Sequence, residues 1–239
     1  MIGRTPNAFT LPVADTVFGY MLAFVRRQPW MDRAMKNGIW DKLPGRSLSE
    51  CTLGVVGVGN IGKAVIRRAR AFGMQVLAYD PHVPPTHIQQ LGAEPVDLET
   101  LLRQSDFITL HCPLTPSTRH LIGARELSLM KPTAILINAS RGPVIDEKAL
   151  VAALKKGTIA AAGLDVFEKE PKLTPGLTKL DNVVLLPHIG SATEDTRNQM
   201  AVVAARNAIA MLKGKKPPNL VNPEVLTSRA YLQRIGRVE

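Results

Sequence analysis

The stretch GVVGVGNIGKA, residues 54–64, decides how this chain reads. Gly57, Gly59 and Gly62 spell GxGxxG within it. Alone the pattern is weak, because glycines also serve turns that bind nothing. Here it directly follows the β-rich run 52–56 and opens a helical pattern, which is the context the chemistry needs. Gly57 allows a tight turn, Gly59 lets backbone approach a pyrophosphate, and Gly62 lets helix and strand pack closely. The amides of Asn60 and Ile61 would face the phosphates at the helix N-terminus. Asp80 stands eighteen residues past Gly62, at the end of the next β-rich run. A carboxylate there can accept hydrogen bonds from both hydroxyls of an adenosine ribose, and it would repel a 2′-phosphate. No Arg or Lys follows in DPHVPP, residues 80–85, to offset that repulsion, so the pattern predicts NAD rather than NADP.

Outward from this loop, short apolar runs alternate with helical patterns. The strand candidates are 52–56, 75–79, 107–110, 134–138, 160–165 and 183–186. Most are apolar on both faces, as parallel strands covered by helices must be. A helix from Ile61 to Phe72 is closed by Gly73, a second runs from a cap at Asp146 to Gly157, and a third ends at Gly214. Ser191 and Glu194 have capping-box spacing ahead of that third helix. The alternation predicts an α/β fold, a Rossmann-type doubly wound parallel sheet. The expected domains are a helical arm over 1–40, with Pro29 as a break, a nucleotide-binding domain over 41–214, and a tail over 215–239. Val13, Val17, Tyr20, Met21, Phe24 and Val25 are too many apolar groups for a free helix, so the arm needs a covering surface.

Bulk properties exclude several classes. The chain has 239 residues, 45% hydrophobic and 21% charged, a globular composition. No apolar run approaches the ~20 residues that span a bilayer, so no membrane association is expected. The net charge of +10 is scattered, and with only 5% aromatics there is no interleaving of rings and bases, so no nucleic-acid partner is expected. Cys51 and Cys112 form no CxxC pair and read as reduced thiols in a cytoplasmic protein. No histidine pair has metal-ligand spacing with a third donor, so no metal is expected. Of five histidines, His82 and His87 lie in a proline-rich loop and His120 follows a loop arginine. His188 follows the run 183–186 and a proline, at the mouth of a buried strand.

Five motifs together resemble the D-isomer-specific 2-hydroxyacid dehydrogenases: GVVGVGNIGKA, HCPLTPSTRHLI, LMKPTAILINASRGPVID, AAGLDVFEKEP and NVVLLPHIGSAT. The family includes glyoxylate/hydroxypyruvate reductases and D-3-phosphoglycerate dehydrogenases; the likeness runs from about residue 5 to 226, and NVVLLPHIGSAT with the tail NPEVL looks most like the glyoxylate reductase branch. The resemblance implies an NAD-dependent oxidoreductase acting on small 2-keto or 2-hydroxy acids. It implies that Arg141 grips the substrate carboxylate, a task suited to a guanidinium fork. It implies that His188 donates a proton to the carbonyl oxygen, help typically worth ~10²–10⁴-fold. Glu170 would fix that ring's tautomer and stabilise its charged form. Glu168, two residues away, reads as a solvated loop acid. Asp165 is expected near the nicotinamide carboxamide, with Gly190 leaving room for the ring. His111, Cys112, Pro113 and Thr118 are expected on the loop running past the cofactor, and Ala139, Ser140 and Ser191 complete the implied cofactor contacts. The family dimerises through its nucleotide-binding domains with this arm taking part, which implies a homodimer whose second copy covers the arm's apolar stripe.

The family pattern also carries a flavodoxin-like domain ahead of TPNAFTLPVADTVFGYMLAFVRR, and this chain opens with MIGRTPN, at the usual crossing between the two. The expectation is therefore a complete Arg141–Glu170–His188 triad in a half-built cleft, binding NAD with weak turnover. A second reading stays open at this point: a catalytically idle NAD-binding module acting through protein contacts, as in the family's corepressor branch.

Overall fold

The structure, a computed structural model, describes residues 1–5 and 8–234. Pro6 and Asn7 of the opening MIGRTPN, and residues 235–239 of the expected tail, lie outside them. The chain divides into two compact units, residues 13–190 and residues 1–12 with 191–239.

Helix α1 (Thr10–Val25) buries Val13, Val17, Tyr20, Met21, Phe24 and Val25 within this one chain. The apolar stripe is thus already covered, and it gives no argument for a second copy. The ring of Tyr20 lies where a side chain at Gly163 would be, 2.6 Å from that missing Cβ. The break after α1 is not at Pro29. It falls at Arg27, which takes a left-handed conformation (φ 54°), and Pro29 sits in the first turn of α2 (Gln28–Lys36). Proline is tolerated there because first-turn amides have no helical acceptor.

The alternating core follows as expected, with small boundary shifts: β1 (Thr52–Val56), α3 (Asn60–Ala71), β2 (Gln75–Tyr79), α4 (Pro85–Gln90), β3 (Glu94–Pro95), α5 (Leu98–Gln104) and β4 (Phe107–Leu110). Then come α6 (Ala124–Leu129), β5 (Ile135–Asn138), α7 (Glu147–Lys156), β6 (Ala161–Leu164) and β7 (Val183–Leu185). One strand and three helices of the core, β3, α4, α5 and α6, were not read from the sequence. Strand β3 is two residues long and carries a proline, so it shows no alternation; it survives at the sheet edge. Helix α4 places His87 on a helix rather than a loop, with Pro85 starting the turn.

All seven strands pair in parallel, in the order β3-β2-β1-β4-β5-β6-β7. Leu53, Val55, Ile108 and Leu136 are fully buried, which is why these runs read as apolar on both faces. The helix ends obey their sequence signals. Asp146 caps α7 by accepting from the Ala149 amide, and Gly157 closes it at φ 73°. Gly62 permits a close approach of helix to strand: a Cβ there would stand 2.1 Å from the Gly57 carbonyl oxygen.

The other unit is built on α8 (Glu194–Leu212). Its cap is Thr193, not Ser191: the Thr193 hydroxyl accepts from the Thr196 amide, while the Ser191 carbonyl accepts from the Thr193 amide. Buried Asn207 ties both chain ends to this helix. Its side chain donates to the Arg4 carbonyl at 3.0 Å and accepts from the Asn219 amide at 3.2 Å. A short 3₁₀ turn, Pro223–Thr227, precedes α9 (Arg229–Arg234). Among the described residues, no helix is long and apolar enough to cross a membrane.

The Gly62 contact generates a prediction. Gly62→Ala has to push α3 away from a backbone oxygen, and it is expected to cost about 1–3 kcal/mol. Urea unfolding of the two chains measures the difference.

Candidate active site

The loop after β1 turns tightly. Gly57 takes φ 95° and its missing Cβ would stand 2.7 Å from the Cys112 amide nitrogen, so only glycine fits. Gly59 is different: a Cβ there would meet no protein atom within 4 Å. The space above the loop is open, directly at the N-terminus of α3, where the helix dipole favours an anion. Asp80, just past β2, faces this loop. Its Oδ2 accepts from the Val58 amide at 2.8 Å and its Oδ1 from the His82 amide at 2.9 Å. Each oxygen keeps a second lone pair for a ribose hydroxyl. Glycine loop, helix terminus and carboxylate together fit a dinucleotide.

The loop after β4 runs along the same edge. His111 Nε2 lies 3.0 Å from the Thr109 hydroxyl, and burial lowers its pKa to about 4, so the ring is neutral. Its Nδ1 is buried and has no partner among the described residues. Burial also raises the Cys112 thiol. Thr118 serves its own loop, donating to the Pro113 carbonyl at 2.6 Å and accepting from the Thr115 amide at 2.8 Å.

The loops after β5, β6 and β7 carry the second cluster. Past β5, Ala139 and Ser140 are buried, and Asn138 Oδ1 accepts from both the amide and the hydroxyl of Ser140. Arg141 follows, exposed, with one guanidinium nitrogen donating to the Ser140 carbonyl at 2.6 Å. Past β7, His188 Nδ1 lies 2.9 Å from Glu170 Oε2, and Glu170 Oε1 accepts from the Phe167 amide at 3.0 Å. Partial burial raises the Glu170 carboxyl, but the His188 hydrogen bond, the Phe167 amide and the charges of His188 and Arg141 outweigh it, so its pKa falls below the ordinary value. An apolar cavity of about 300 Å³, lined by Phe167, Leu173, Leu185 and Pro187, adjoins the pair.

His188 takes φ 55°, a left-handed conformation rarely held by a non-glycine residue. Buried Asp165 holds it there, accepting from the next two amides, Ile189 and Gly190, both at 2.8 Å. Gly190 is constrained on its protein side as well. A Cβ on it would stand 2.8 Å from Asp165 Oδ2, so its missing side chain makes room for that carboxylate. Burial raises the Asp165 carboxyl despite those two bonds. Ser191 belongs to the other unit.

Two features were not read from sequence. Glu168 is no solvated acid; its carboxylate lies 2.6 Å from His120 Nε2 and is mostly buried. Glu147 is 2% exposed, yet it reads in sequence as an ordinary first-turn acid of α7. Among the described residues, no group of three or more His, Cys, Asp or Glu could hold a metal ion.

The residues collected at one edge of the sheet can now be set beside known proteins. Residues 18–190 match the D-isomer specific 2-hydroxyacid dehydrogenase, NAD binding domain. The chain belongs to this family. It is an NAD-dependent oxidoreductase of 2-hydroxy acids, and NAD is its cofactor. It is 51% identical over 236 residues to the glyoxylate reductase of Thermococcus litoralis, covering 95% of this chain and 71% of that one. The crystal structure of a glyoxylate reductase from Paecilomyes thermophila superposes with a TM-score of 0.84 at 38% identity, over 94% of this chain and 68% of that one. The D-lactate dehydrogenase of Aquifex aeolicus, complexed with NAD and lactic acid, gives 0.83 at 33% identity, over 89% and 69%.

Because the space over Gly59 is open to protein, Gly59→Ala is expected to change stability by no more than about 1 kcal/mol. It should weaken NADH binding at least about tenfold, by placing a methyl against the pyrophosphate. Thermal unfolding and a fluorescence titration of NADH read the two effects separately.

Proposed function

We propose that this chain reduces a small 2-keto acid, with glyoxylate the first candidate, using Arg141, Glu170 and His188. The observation that carries the reading is the 2.9 Å pair of His188 Nδ1 and Glu170 Oε2 beside Arg141, at the carboxyl edge of the sheet. Arg141 has one guanidinium edge tied to Ser140 and a second edge to offer a carboxylate, which fixes the keto acid and orients its carbonyl. With Nδ1 held by Glu170, the His188 ring presents Nε2 to the carbonyl oxygen and gives up its proton there. When bound, NADH supplies the hydride that reaches the carbonyl carbon. In the oxidative direction Nε2 takes the hydroxyl proton, and Glu170 stabilises the resulting charge. Glyoxylate is favoured because several relatives near 50% identity carry the name glyoxylate reductase. Asp80 favours NADH over NADPH, since a 2′-phosphate would meet its carboxylate with no nearby cation in 80–85.

A homodimer through the arm is part of this reading, on different grounds from those that opened it. Within the nine residues from Met35 to Leu43, four large apolar residues are exposed, Ile39 at 56% and Trp40 at 76% among them. Large apolar groups clustered on a surface are commonly covered by a partner. A cytoplasmic location is supported by the two cysteines, both free.

The deciding assay is turnover of NADH with glyoxylate, beside hydroxypyruvate and NADPH. His188→Gln is expected to lower kcat by about 10²–10⁴-fold with NADH affinity unchanged. Asp80→Ala is expected to weaken NADH about tenfold and narrow its lead over NADPH. A chain that binds NADH tightly but reduces neither acid is a binding module, and the catalytic reading fails. For assembly, light scattering should give twice the chain mass at micromolar concentration, and Trp40→Asp should return it to one.

A further inference from the structure

We propose that Glu147 is a positioning residue, its buried carboxylate tethering the 167–174 loop on both sides of Glu170 and so holding Glu170 in register with His188 and Arg141. The inference rests on the roles proposed above for those three residues.

Arg141 and Glu170 lie on loops from different strands, β5 and β6, so something must set the distance between them. The segment after Arg141 does this twice. Gly142 packs directly under the loop: a Cβ there would stand 1.9 Å from the Phe167 carbonyl carbon. Five residues further on, Glu147 begins α7 with its side chain turned inward. One of its oxygens accepts from the Glu168 amide at 2.7 Å, the other from the Thr174 hydroxyl at 2.5 Å. Glu168 precedes Glu170 and Thr174 follows it, so one carboxylate grips both limbs of the loop. Within the same loop, Glu170 accepts from the Phe167 amide. The chain of contacts is therefore continuous from the Arg141 segment, through Glu147, to the ring of His188.

The acids of this region are not equivalent. Glu168 pairs with His120 and Glu170 with His188, whereas Glu147 makes no ion pair among the described residues. Burial, with the nearby charges of Glu168 and Glu170, raises its pKa against the two bonds it accepts. A site that needed only an apolar filler would not hold a carboxyl group here, since an unpaired buried acid is costly. Its position in the first turn of α7 offsets part of that cost through the helix dipole. What the acid adds is two acceptors of fixed separation, aimed at two different limbs of one loop.

The test reads His188 directly. With Nδ1 bound to Glu170, the neutral ring should carry its proton on Nδ1, and the ¹⁵N shifts of the ring nitrogens report this in the labelled full chain. The resonances are assigned by their loss in His188→Gln. Glu147→Ala frees both limbs; it should shift His188 toward the Nε2–H tautomer and lower kcat for glyoxylate about 100-fold. The KM for NADH should stay within about twofold, because the glycine loop is untouched. Glu147→Gln keeps an oxygen for the Glu168 amide and can donate to the Thr174 hydroxyl, so it should retain the tautomer and most of kcat. A folded Glu147→Ala with unchanged tautomer overturns the proposal, and so does a Glu147→Gln as damaged as the alanine. Should Glu147→Ala fail to fold, Thr174→Val cuts one tether alone; an unchanged His188 tautomer in that variant also overturns it. If the unmodified chain shows no turnover, the catalytic reading has failed, while the tautomer readings still decide the tether.

Discussion

The parallel direction of all seven strands is the constraint on which the rest depends. Parallel strands send every connection across the sheet, so the loops after β1, β2, β4, β5, β6 and β7 all emerge at one edge. The glycine loop, Asp80, His111, Arg141, Asp165, Glu170 and His188 stand on those six loops. The sheet interior has no room for them: strand residues such as Leu53, Val55 and Ile108 are closed off on both faces. Polar chemistry is pushed to the strand ends by burial, and to one set of ends by direction. Strand order reverses about β1, with β2 on one side and β4 on the other, which opens the crevice where doubly wound sheets take ligands.

Within that edge, acids do the positioning through backbone amides. Asp165 accepts from Ile189 and Gly190 and so holds His188 in a conformation the residue would not choose alone. A left-handed non-glycine costs of order 1–3 kcal/mol and persists only where its surroundings insist on it. Charge-assisted bonds to two successive amides are strong enough to supply that insistence. Glu170 uses one oxygen on the Phe167 amide and the other on His188, dividing itself between its own loop and the ring. The consequence is electrostatic as well as geometric. Glu170 is drawn below its ordinary pKa by the hydrogen bonds from His188 and the Phe167 amide and by nearby positive charge, while Asp165 and Glu147, more buried, are pushed above theirs. The most exposed of the three carboxylates is thus the one most firmly charged, and it is the one in contact with the histidine.

Local patterning determined most of the elements. The strands at 52–56, 75–79 and 107–110 stand where apolar runs placed them, since β propensity and two-sided burial both leave a mark on consecutive residues. Asp146 and Gly157 bound α7 because caps are local chemistry. The glycine loop was legible for the same reason: turn, approach and packing each need glycine at a fixed offset. Where local signals competed, reading failed. Ser191 had the capping-box spacing, yet the chain's path set Thr193 as the cap. Pro29 looked like a break, yet the break came at Arg27, whose left-handed φ has no residue-type signature.

What only the tertiary structure decided is which distant side chains meet. The sequence named Arg141, Glu170 and His188, and the fold placed His188 and Glu170 2.9 Å apart. It also set Gly190 against Asp165, where a side chain would not fit, and turned Glu168 from a solvated acid into the partner of His120. The apolar stripe of α1 read as a surface awaiting a second copy and is instead covered within the chain, with Tyr20 over Gly163. Glu147 left no trace in the pattern, because an acid in a first helical turn looks alike whether it faces water or a buried loop. Propensity and capping act between near neighbours, so one sequence displays them; burial and pairing between residues on different loops depend on the strands' register, which no local segment contains.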